Sequence, residues 1–230
     1  MHEEILFCVS DEFALAGIGF VLQSKNMNPN WAEENLQTIR TLMERSALYR
    51  RALAPIMILA GIIGLLTAGL GWFLHVYSTR PFCELWLSAA TVTVSGAFLL
   101  ARRQALKDRE PFWSSPARRV TLALFPPLAA GLFLSLLLTT VRNDLAPTTS
   151  FVWILFYGCA MHSAGFFMPR IVRWFGLLFV LCSCGFFLVY GVILKNTDPN
   201  PNFVMGFFFG ALHLACGVYL YLTEKGKNAV

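Results

Sequence analysis

Six stretches of this chain, near residues 54–77, 82–101, 120–141, 151–168, 174–194 and 203–222, are apolar runs of about twenty residues almost free of charge. At 1.5 Å per helical residue, a run of that length crosses roughly the 30 Å of hydrocarbon in a bilayer. Hydrocarbon offers no water to backbone N–H and C=O groups, so each crossing segment has to bond internally as a helix. The expected fold is therefore an all-α membrane protein, a six-helix transmembrane bundle. Composition agrees: 57% of residues are hydrophobic, 13% are charged and the mean hydropathy is +0.60. A water-facing domain needs about 25% charged residues.

The positions of the basic residues orient that bundle. Fifteen of the 18 Lys and Arg residues fall on one side, including Lys25, Arg40, Arg45, Arg50 and Arg51 before the first run, with Arg170, Arg173, Lys225 and Lys227 later. Arg80, Arg142 and Lys195 make up the other side. The positive-inside rule then predicts both termini in the cytoplasm. The net charge of +5 comes from these flanks, which is a membrane pattern, so nucleic acid is not an expected partner.

The predicted organisation is an N-terminal extension over 1–26, a cytoplasmic amphipathic helix over 27–53, a six-span domain over 54–222 and a cytoplasmic tail over 223–230. The extension has an apolar stretch at 13–22 too short to span, and Glu3, Glu4, Asp11 and Glu12 stand where a secretory signal would be basic. Translation from Met27 and a short amphipathic extension both account for it. Beyond Asn28-Pro29-Asn30, with Asn30 as the expected cap, Leu36, Ile39, Met43 and Ala47 recur at helical spacing opposite Arg40, Glu44 and Arg51. That pattern suits a helix lying on the inner leaflet.

The segment between the second and third runs carries Arg102, Arg103, Lys107, Arg109, Arg118 and Arg119, with Phe112 and Trp113 at headgroup level. The segment reads as a topology determinant with an aromatic anchor; because basic clusters beside a bilayer attract anionic groups, an anionic-lipid or phosphate site is the functional alternative, with a protein partner as a further use. Five of the six cysteines lie within the runs and Cys8 in the extension, and Cys182 and Cys184 point apart on a helix. No disulfide framework is expected.

Three strings, Leu36-Gln37-Thr38-Ile39-Arg40-Thr41-Leu42-Met43-Glu44-Arg45-Ser46, Glu110-Pro111-Phe112-Trp113-Ser114 and Ala164-Gly165-Phe166-Phe167-Met168-Pro169-Arg170, resemble segments of an uncharacterised family of bacterial multi-pass inner-membrane proteins. The resemblance implies a bacterial plasma (inner) membrane location. It brings no activity with it.

Ionisable groups inside a bilayer are costly, so each is a site candidate. His162 and His213 are expected near the midplane, each on a stripe of glycines: Gly158 and Gly165 around the first, Gly206, Gly210 and Gly217 around the second. Such stripes serve close helix packing, and they also make room for a haem b held between two imidazoles. Pro126-Pro127 removes two backbone donors from the third run, as an ordinary kink or as a hinge. His75 and Glu84, with Cys83 beside them, are candidate metal ligands at the outer hairpin mouth, short of a full set. Nucleotide loops and Ser-His-acid sets have no candidates. The expectation is a membrane component without catalytic activity, acting as an accessory, scaffold or signalling protein. A small-solute transporter or channel is the alternative, and a haem b redox subunit using His162 and His213 the second.

Overall fold

The computed structural model describes residues 29–107, 113, 115–142, 144–193 and 199–227. Residues 1–45 and 46–230 form two compact units. The described part of the first, 29–45, is helical, beginning one residue before the expected cap Asn30; the 1–26 extension lies outside the described residues.

All the regular structure described is helical. Helix α1 covers Pro29–Phe73, α2 Thr79–Lys107, α3 Ser115–Val141, α4 Ala146–Ala164 and α5 Arg170–Leu188, which runs on as a π-turn, π1, Val189–Ile193. The last rod comprises α6 (Pro201–Met205), a π-helical segment π2 (Gly206–Leu212) and α7 (His213–Lys227). Among the described residues, five segments are long and apolar enough to cross a membrane: Ala52–Phe73, Thr79–Lys107, Ala117–Val141, Arg170–Leu188 and Pro201–Thr223. These overlap five of the six expected runs.

The remaining run is a helix too, but a different kind. At 19 residues α4 is long enough, yet it falls short of the hydropathy of the other five. Its first turns hold Thr148, Thr149 and Ser150, and its last holds His162 and Ser163. The reason it tolerates them is position: α4 packs against both α3 and α5, and Thr149 and Ser150 are fully buried. Thr149 Oγ1 donates to Leu145 O at 2.8 Å and Ser150 Oγ to Pro147 O at 2.6 Å, so neither hydroxyl needs water.

Outside, the unit formed by residues 46–230 is apolar. Leu66, Phe73, Val94, Phe125, Phe133, Leu181 and Tyr219 are all more than half exposed. Exposure on this scale exceeds the few hundred Å² of apolar patch that a soluble monomer carries, and it suits lipid. Inside sit Phe82, Trp86, Ile154, Phe175, Phe179 and Phe208, together with the buried polar side chains Ser135, Ser183, Asn202 and His213.

Glycine sets the closest helix contacts. A Cβ on Gly61 would lie 2.5 Å from Leu214 N, on Gly64 2.4 Å from Phe209 O and on Gly206 2.6 Å from Ala68 Cβ. These pairs run antiparallel along the first and last spans. A second seam joins α4 to α5, where a Cβ on Gly176 would meet His162 N at 2.3 Å and Gly158 O at 2.7 Å. Small residues drive association in lipid by letting backbones touch, since apolar burial supplies no gain there.

Candidate functional site

Among the described residues, His213 is the buried histidine. Midway along the last span and 1% exposed, its imidazole is enclosed by Tyr157, Phe175, Phe179 and Phe209, with ring centroids 5.0 to 5.7 Å away. Nδ1 lies 2.9 Å from the carbonyl oxygen of Phe208, five residues earlier in π2. A carbonyl only accepts, so Nδ1 carries the proton and Nε2 of the neutral ring is the acceptor. Tyr157 Oη, 2.6 Å from Nε2, therefore donates. The result is a directed chain from tyrosine hydroxyl through imidazole to a main-chain carbonyl.

His162 belongs to a different neighbourhood. The sequence places it level with His213, counting from an expected helix start near residue 151. The helix in fact starts at Ala146, with Leu145 preceding it and Pro147 in its first turn, so His162 falls in the last turn. Counted from the starts of their helices, Tyr157 and His213 both lie about 17 Å along, while His162 lies about 24 Å along. His162 Nδ1 is 3.2 Å from Arg173 O, and its ring meets Phe166 edge-on at 5.5 Å. Tyr157 is the partner the sequence reading missed; being five residues before His162 on the same helix is no signal by itself.

These contacts bear on the haem b expectation. Both ring nitrogens of His213 are engaged by protein groups, and aromatic rings pack around it. The glycines expected to clear space for a porphyrin face helix backbone and side chains: Gly158 meets α5, Gly165 the backbone of Arg173, and Gly206, Gly210 and Gly217 meet Ala68, Leu65 and Ile58. The residues present do not fit a haem held between these two imidazoles.

A second polar cluster ties the helix ends near residues 76, 79, 145 and 202. Asn202, fully buried, accepts from Trp86 Nε1 at 3.1 Å and donates through Nδ2 to Val76 O at 2.7 Å. Gly71 makes room, since a Cβ there would sit 2.3 Å from Asn202 Oδ1. Thr79 Oγ1 accepts from Leu145 N at 2.9 Å. The sequence reading missed Asn200-Pro201-Asn202, a cap residue followed by proline that marks a helix start; Asn200 Oδ1 accepts from Asn202 N at 3.0 Å.

At the same end, His75 and Glu84 are both exposed and no bond joins them. Glu84 Oε1 accepts from Arg80 Nε at 3.0 Å, and Cys83 is buried. Among the described residues no three His, Cys, Asp or Glu side chains group as a metal set. His75 instead ends α1. Val76 N donates to Gly71 O at 2.9 Å and His75 N to Trp72 O at 3.2 Å, the paired bonds of a Schellman turn, with His75 at φ 54° in the position glycine usually fills. Arg142 pairs with Asp144, its Nε 2.9 Å from Oδ1; that hydrogen bond holds the Asp144 carboxyl below its ordinary value.

The opposite ends of α2 and α3 differ. Arg102, Arg103, Lys107, Arg118 and Arg119 are exposed, and none has an ion pair among the described residues. Trp113 between the two helices is 60% exposed, and Arg109 lies outside the described residues. Pro126 and Pro127 sit within α3, which continues as helix on both sides of them. No family model, curated protein or solved structure matches the chain.

Proposed function

We propose that the chain is a six-span integral protein of the bacterial inner membrane, both termini cytoplasmic, working as a non-catalytic accessory, scaffold or signalling component. Ala146–Ala164 is the sixth span. At about 28 Å it matches the hydrocarbon thickness, and its polar turns sit against neighbouring helices. The observation that carries the functional reading is the inward satisfaction of the buried polar groups. His213 bonds Tyr157 and Phe208, Asn202 bonds Trp86 and Val76, Ser183 bonds Phe151 O, and Ser135 bonds Gly131 O while accepting from Trp153. Groups used this way hold helices together, whereas a translocation path needs polar atoms turned toward solute.

The charge asymmetry supports the orientation. At one end Arg80 and Arg142 are each neutralised by a neighbouring carboxylate, and at the other the arginines of α2 and α3 have no ion pair among the described residues. In-cell photocrosslinking tests the role. A photoreactive residue at Trp113 is expected to give a discrete protein adduct, and one at the lipid-facing Phe133 is expected to give none. Absence of an adduct at both, combined with solute uptake into vesicles holding the purified protein, would replace this reading with a transporter.

A further inference from the structure

The charged end of α2 and α3 has a composition that a topology signal alone does not require. Four of its five described cations are arginines: Arg102 and Arg103 in the closing turns of α2, Arg118 and Arg119 in the opening turns of α3. Arg103 and Lys107 are four residues apart on one helix face. The two helices are in contact, and Ala105, between Arg103 and Lys107 on α2, is buried. All five are exposed, and no carboxylate among the described residues pairs with them. Arg118 and Arg119 also sit at a helix N-terminus, where the backbone dipole disfavours cations and favours an anion.

Each guanidinium presents a planar fork of donors that matches two oxygens of a phosphodiester, a geometry lysine lacks. Both helices are also the most lipid-exposed of the spans, with 11% of each apolar window buried against 50% in the last span. Acyl chains can therefore lie along them directly below the cations. Trp113, 60% exposed between them, is the residue type that anchors at headgroup level.

We infer that Arg102, Arg103, Arg118 and Arg119, with Lys107 and Trp113, form a binding site for the phosphodiester headgroup of an anionic phospholipid, whose acyl chains lie on α2 and α3. The site rests on the proposed placement of this end at the membrane surface, and on no protein partner.

The full chain in non-ionic detergent, titrated with phosphatidylglycerol or with phosphatidylcholine of the same acyl chains, tests the site by native mass spectrometry. The expected preference for phosphatidylglycerol is at least about tenfold, on the basis of the attraction each basic residue near such a surface contributes. Replacing all four arginines by glutamine (R102Q, R103Q, R118Q, R119Q) should bring the ratio close to one, while R80Q with R142Q should leave it unchanged. A wild-type ratio near one, or a ratio equal in both variants, overturns the site. Displacement of phosphatidylglycerol by millimolar inorganic phosphate also overturns it, because the ligand would then be a free anion. Should the fourfold variant fail to insert, wild-type protein gives the answer. A preference that falls between about 0.05 and about 0.5 M salt supports the site, and one indifferent to salt removes it. A crosslinked protein partner at position 113 can be absent while this preference holds, so the two readings fail separately.

Discussion

His75 occupies a backbone conformation that an L-residue enters at a cost of about 1–2 kcal/mol, and it does so to close the Schellman turn that ends α1. Its side chain is exposed, so little is lost by removing it. His75→Gly should therefore stabilise the protein by about 1 kcal/mol in reversible unfolding from mixed micelles, and His75→Ala should change it little. A loss of stability in the glycine variant would mean that the imidazole has a role beyond the turn. Tyr157 and His213 permit a cleaner measurement. Tyr157→Phe leaves a buried nitrogen acceptor without its donor, at a cost of about 1 kcal/mol, above the bilayer average of about 0.6 kcal/mol for such bonds. His213→Leu costs more, since it removes both imidazole bonds and leaves the buried Tyr157 hydroxyl without its acceptor. In a double-mutant cycle the combined variant should cost less than the two singles together by about 1 kcal/mol. Additive costs would show that the 2.6 Å contact contributes nothing.

Between helices, glycine separates two kinds of position that look alike in sequence. Gly64 faces the carbonyl of Phe209, with room for no further atom, whereas Gly69 and Gly185 have nothing within 4 Å of an added Cβ. Gly64→Ala is expected to cost about 1–3 kcal/mol by forcing the first and last spans apart. Gly69→Ala and Gly185→Ala are expected to be neutral or to stabilise by up to about 1 kcal/mol through helix propensity. The same unfolding assay checks all three, and equal effects would contradict the antiparallel seam. The helices themselves were legible from hydropathy, because lipid-facing residues must be apolar wherever they fall. Helix ends were less so. The turn after α1 has no glycine to announce it, and α4 begins five residues before its first phenylalanine because Thr149 and Ser150 are buried by neighbours instead of facing water. The Tyr157 to His213 bond was illegible for a further reason: it depends on the register between two helices 56 residues apart in sequence. The glycine stripes were visible, but which partner each would face was not.

For the molecule as a whole, the proposed six-span topology turns on α4 crossing the bilayer, because among the described residues five other segments are long and apolar enough to cross a membrane. Hydropathy alone argues against it, since α4 does not reach the level of Ala52–Phe73 or Arg170–Leu188. Packing argues for it. Partners on α3 and α5 meet it from Phe151, whose carbonyl accepts from Ser183 on α5, through Trp153, bonded to Ser135 on α3, to His162, whose backbone faces Gly176 on α5. A helix sheltered by others needs apolar character only where it meets lipid. The two loops flanking α4 decide the matter, because a crossing puts them on opposite sides of the membrane and a non-crossing puts them on the same side. Alkaline phosphatase inserted beside Asp144 should be active, reporting the outer face, and the same insert beside Phe167 should be inactive. Fusions beside Trp113 and beside Phe167 should behave alike, as the proposed topology puts both loops on the arginine-bearing face. Activity at both Asp144 and Phe167 would reduce the bundle to five spans. It would also put the Arg170 end of α5 outside, against the direction in which the basic residues pull.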